Sequence, residues 1–76
     1  MNKQKTLKNL SKIFLEEYPK YYKSKLAFAI ACDVDEKTIR RVLKGEQNIS
    51  IWVFLKLCDA VKLKPSDVLK KINNEI

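Results

Sequence analysis

Apolar residues recur along this chain at helical spacing, separated by residues that start and stop helices. Leu7, Leu10, Ile13 and Phe14 lie three and four positions apart, predicting a first helix over about residues 5–18. Pro19 biases the residue before it away from helical backbone, so that helix is expected to stop near Tyr18. Residues 19–23 then form a connection in which Tyr21 and Tyr22 cover one end of the core. Ser24 stands where a hydroxyl caps a second helix over 25–32, with Leu26, Phe28, Ala29 and Cys32 apolar. Leu26, Ile30 and Ala31 fall toward its outer side, where they either pack on the first helix or make a self-contact.

Asp33, Val34 and Asp35 read as a tight turn, because aspartate tolerates left-handed backbone and Asp35 is placed to cap the next helix. The third helix, over 36–44, separates its faces: Ile39, Val42 and Leu43 inward, Lys37, Arg40, Arg41 and Lys44 outward. Gly45, the chain's single glycine, comes where a helix end favours positive φ. Ser50 caps a fourth helix over 51–61, whose Phe54, Leu55, Leu57, Cys58 and Val61 are expected at the centre of the core. Pro65 then opens a last helix striped by Val68, Leu69 and Ile72, with fraying expected beyond Ile72.

Composition agrees with an all-α reading, since a hydrophobic fraction of 46% with one Gly and two Pro suits helices better than a turn-rich β fold. A chain of 76 residues supports one domain with a compact core. Cys32 and Cys58 lack CxxC spacing and sit in apolar helices, the setting of buried free thiols. With no histidine, a zinc site has too few ligands, and no metal or cofactor is expected. No activated nucleophile or phosphate-cradling glycine loop appears, so an enzyme is not expected. The chain shows no secretory start and no apolar run near the roughly 18–20 residues of a membrane span, which reads as cytoplasmic.

Sixteen Lys and Arg against nine Asp and Glu give +7, a charge that draws a protein toward polyanions or simply keeps its surface solvated. The motif separates these alternatives. Two short helices joined by a three-residue turn, the second basic on its outer face, set one helix against a DNA backbone and the other in the major groove. Phe28-Ala29, Val34, Thr38-Ile39, Arg41, Gly45, Ser50, Leu55, Ala60, Leu63 and Pro65 resemble the helix-turn-helix family of phage lambda repressor and Cro proteins, over roughly residues 24–69. Three positions depart from that family's pattern. Asp33 and Lys62 stand where it has glycine, and Lys25 where it commonly has a phosphate-binding glutamine.

The resemblance implies a compact five-helix, lambda repressor-like DNA-binding domain over 1–76, with its motif at about 24–45 and helices four and five at about 51–74. It implies base reading by Asp35, Glu36, Lys37, Arg40 and Arg41. Lys37 and Arg41 suit guanine O6 and N7, Glu36 suits the cytosine amino group, and Arg40 alternatively reaches a phosphate. Asp35 and Glu36 have a second reading as helix-start carboxylates that satisfy free amides. Phosphate contacts are expected from Ser24, Lys25, Lys44, Gln47 and Asn48.

Trp52 is expected in the core or on a dimer surface rather than as a base-stacking platform. The expected partner is double-stranded DNA, bound by a sequence-specific regulator of repressor type, with a homodimer on a palindromic site implied by the resemblance. An antitoxin would add a toxin partner, for which Leu26, Ile30 and Trp52 offer a surface. The alternative from another class is a helical protein-interaction module on the same fold, favoured by the repulsion of Asp35 and Glu36 from phosphate.

Overall fold

The structure, a computed structural model, describes residues 2–46 and 48–75. Its element order is α1 (Lys3–Glu17), a 3-10 turn (Tyr18–Lys20), α2 (Lys25–Cys32), α3 (Glu36–Leu43), α4 (Ile51–Ala60) and α5 (Pro65–Glu75), with no strand among the described residues. The radius of gyration, 11.3 Å, equals the about 11 Å expected of a compact chain of this length. No helix among the described residues is long and apolar enough to cross a membrane.

Side-chain caps start three of the helices. Asn2 Oδ1 accepts from the Lys5 amide at 3.1 Å, Ser24 Oγ from Ala27 at 3.0 Å and Ser50 Oγ from Val53 at 3.2 Å, each satisfying an amide with no partner inside its helix. α1 therefore starts two residues earlier than its apolar stripe indicates. Helices α2, α3 and α4 all end in the same way. A residue with left-handed backbone comes after each: Asp33 (φ 55°), Gly45 (φ 71°) and Lys62 (φ 59°). In each, paired reverse hydrogen bonds close the turn: Val34 to Ala29 and Asp33 to Ile30, Glu46 to Arg41 and Gly45 to Val42, Leu63 to Cys58 and Lys62 to Asp59. This double bond pattern satisfies carbonyls the helix leaves free.

Phe14, Phe28, Ile39, Leu57, Cys58, Val61 and Val68 are the large side chains removed most completely from solvent. α1 packs on α3 and α5, α2 on α3 and α4, and α4 on α5, so the third helix is held from two sides. Cys32 and Cys58 are buried free thiols, and burial pushes each thiol from its ordinary 9.0 up to about 11.

Several expectations are corrected. α1 stops at Glu17 with Tyr18 as its C-cap, where Pro19 places the stop, but Tyr18 itself is not pushed out of helical backbone: it keeps φ −61° and ψ −36°, and the proline sits in the first turn of the 3-10 segment, where a missing amide is tolerated. Packing offsets the local bias, since the Tyr18 ring stacks on Phe28 at 5.3 Å. Of Tyr21 and Tyr22, only Tyr22 covers the core, stacking on Phe28 and donating its hydroxyl to the Ala60 carbonyl at 2.7 Å, while Tyr21 is exposed. Leu55 and Leu69 leave the core, because burial of Phe54, Leu57 and Cys58 on α4 and of Val68 and Ile72 on α5 turns these neighbours outward. Trp52 is 64% exposed and not a core residue, its ring lying 5.5 Å from Lys56 Nζ. α5 continues beyond Ile72 to Glu75.

Candidate nucleic-acid interface

The α2–turn–α3 unit is fixed by local and distant contacts. Ser24 sets the start of α2, and the left-handed backbone of Asp33 reverses the chain after eight residues. Lys56 of α4 reaches back to this turn, donating to the Asp33 carbonyl at 3.3 Å. α3 then buries Ile39, Val42 and Leu43. With those three inward, Lys37, Arg40, Arg41 and Lys44 stand exposed at positions i, i+3, i+4 and i+7, a single cationic stripe along two turns.

The carboxylates at the start of α3 behave differently from one another. Asp35 occupies the cap position with φ −60° and ψ 137°, but its side chain makes no capping hydrogen bond, only its carbonyl accepting from Ile39 at 3.1 Å. The capping role expected for this side chain is therefore not filled, and the carboxylate stays exposed. Glu36 is half-buried and accepts from Arg40 Nη2 at 3.1 Å. An exposed i,i+4 pair of this kind is worth about 0.3–0.5 kcal/mol, small enough to open when a stronger anion approaches Arg40. Lys37 and Arg41 have no such tie among the described ion pairs.

Among the expected phosphate contacts, Ser24 is exposed with its oxygen engaged as the α2 cap, leaving the hydroxyl hydrogen free to donate. Lys25 is half-buried beside it, and Lys44 and Asn48 are exposed beyond α3. Gln47 lies outside the described residues. Lys44 and Asn48 meet in a polar cleft of about 550 Å³, whose opposite wall is α1, with Gln4, Leu7 and two further lysines, Lys3 and Lys8. Gly45 permits that meeting, since a Cβ there would stand 3.2 Å from the Lys8 Cα. Sequence reasoning missed Lys3 and Lys8, whose place beside Lys44 depends on the packing of α1 on α3.

The apolar outer side of α2 is open. Leu26 is 50% and Ile30 71% exposed, one helical turn apart, so neither is covered by α1. A second apolar groove runs between α1, α4 and α5, lined by Leu7, Leu10, Ile51, Phe54 and Leu69 among others. Compared with models of known protein families and with curated proteins, the chain matches none.

Proposed function

We propose that this protein is a sequence-specific duplex-DNA-binding regulator of the lambda repressor and Cro-like kind, which lays α3 in the major groove. The observation that carries this reading is the four-cation stripe formed by Lys37, Arg40 and Arg41 on α3 and Lys44 at its C-cap, on a short helix whose other face is locked into the core. Such a helix presents donors at fixed spacing on a rigid body, as reading of guanine edges requires. Asp33 and Lys62, where the chain departs from the family's glycines, both adopt the left-handed backbone a glycine would favour, which supports the resemblance at the level of conformation. In this reading Asp35 and Glu36 tune specificity, with Glu36 exchanging Arg40 for a cytosine amino group. Ser24, Lys25, Lys44 and Asn48 hold the backbone.

The test is fluorescence anisotropy on a duplex selected from a random pool. Lys37→Ala and Arg41→Ala are each expected to cost about 1–3 kcal/mol on the selected site and little on random duplex. Equal losses on both would refute base reading by α3. Sedimentation of the protein alone and on the selected site tests the dimer, and a monomer in both refutes it.

A second reading, a protein-interaction module or antitoxin, is favoured by the exposed Leu26, Ile30 and Trp52. It predicts a partner whose binding survives the Lys37→Ala/Arg41→Ala change and is lost on Ile30→Asp.

A further inference from the structure

The surplus charge of the chain is not concentrated on its third helix. Residues 35–46 set four cations, Lys37, Arg40, Arg41 and Lys44, against three carboxylates, Asp35, Glu36 and Glu46. α1 instead gathers Lys3, Lys5, Lys8 and Lys12 in its first part and ends in Glu16 and Glu17. This order opposes the helix dipole at both ends, since anions are favoured near an N-terminus and cations near a C-terminus. The distribution therefore works against α1 as a helix and places positive charge where α1 meets the end of α3.

That meeting point is a built concavity. The cleft places Lys3, Gln4 and Lys8 across from Lys44 and Asn48, three ammonium groups and two amides against the single carboxylate of Glu46. Gly45 sets the spacing of its walls: with no Cβ and φ 71°, it lets the α1 backbone at Lys8 approach the turn that carries Lys44. Lysine serves phosphate as a mobile point charge, and a cleft open to solvent and lined by three of them suits the phosphodiester groups of a duplex backbone.

We propose that this cleft binds phosphodiester groups of the duplex that α3 enters, so that Lys3 and Lys8 of α1 join Lys44 and Asn48 as one clamp beyond the end of the reading helix. The proposal rests on the DNA-binding reading and extends it to a helix outside the motif. Because these contacts touch only the backbone, they contribute affinity and salt dependence without sequence preference.

The experiment is an anisotropy titration on the selected duplex at several salt concentrations, with the wild type, Lys3→Gln/Lys8→Gln, and Lys20→Gln in the 3-10 turn beyond the far end of α1. Each phosphate neutralised contributes about −0.9 to the slope of log affinity against log salt, so the double variant should be shallower by about 1.8. Between 50 and 200 mM salt the wild type should lose about tenfold more affinity than the double variant, with the ratio of selected to random binding unchanged. Lys20→Gln should keep the wild-type slope. The double variant should melt no lower than wild type, because it removes cations from the positive end of α1, so weaker binding is not weaker folding. A wild-type slope in the double variant, on a duplex the wild type prefers, overturns the clamp and leaves the DNA-binding reading standing. A slope change of about 0.9 in Lys20→Gln, half that of the double variant for half the charge removed, also overturns it, by making the effect one of net charge. A wild type with no preference for any duplex overturns both.

Discussion

Replacing Gly45 by alanine perturbs the junction on which both the fold and the candidate interface depend. The backbone at Gly45 has φ 71°, a left-handed conformation that costs an L-residue about 1–2 kcal/mol. Alanine recovers about 0.5–1 kcal/mol of this by restricting the unfolded chain. The added Cβ would also stand 3.2 Å from the Lys8 Cα and 3.4 Å from the Leu7 carbonyl oxygen. Both are backbone atoms of α1, so relief requires the helix to move as a body, an overpacking that costs about 1 kcal/mol at its lower end.

The sum is a destabilisation of about 1–2 kcal/mol. With a urea m-value of about 1 kcal/mol/M for a small domain, the midpoint should fall by about 1–2 M without a change in slope. The same displacement would pull Lys8 away from Lys44, so DNA affinity should weaken in conditions where the variant is fully folded. A midpoint within about 0.3 M of wild type would refute the reasoning, by showing that neither the φ nor the approach of α1 constrains this position.

Particular contacts elsewhere in the chain carry further predictions. Cys32 and Cys58 hold thiols raised from 9.0 to about 11 by burial, so the folded state retains protons that the unfolded state releases earlier. Stability is fully present below pH 9 and is lost as pH rises toward 11, with a slope of at most about 1.4 kcal/mol per pH unit for each thiol; thermal melts across this window check it, and a flat profile refutes it. Burial raises Tyr22 in the same direction. Tyr22→Phe strands the Ala60 carbonyl, which accepts from the Tyr22 hydroxyl at 2.7 Å, and should cost about 1–2 kcal/mol in urea unfolding. Lys62→Gly relieves a φ of 59° but removes an ammonium 5.5 Å from the Tyr21 ring, and should stabilise by no more than about 0.5–1 kcal/mol, opposite in sign to Gly45→Ala.

The ends of α2 and α3 are legible in the sequence because their signals are local. Ser24, Asp33 and Gly45 each act within four residues of themselves, through a cap or a left-handed turn. The buried faces of α1 and α3 are legible for the same reason, their apolar stripes being narrow and flanked by charge. Periodicity misplaces Leu55 and Leu69 because α4 and α5 carry more apolar residues than the core takes up. Which face wins is decided only when the neighbouring helices are in place. Pro19 marks the end of α1 correctly, but the helical backbone of Tyr18 is not legible, because the stacking of its ring on Phe28 is a tertiary contact. For the interface, the stripe on α3 is set by spacing alone. The cleft of Lys3, Lys8, Lys44 and Asn48 depends on α1 packing against α3, which no local pattern encodes.

The most direct measurement of the central claim is a competition on DNA at physiological salt, with labelled selected duplex displaced by either itself or random duplex. The account predicts that random duplex competes at least about a thousandfold less well, and that Arg41→Ala collapses most of that ratio while leaving random binding nearly unchanged. Equal competition by the two duplexes, with all binding lost as salt rises, would show that the basic surface attracts polyanions without reading them, and would contradict the placement of α3 in a groove.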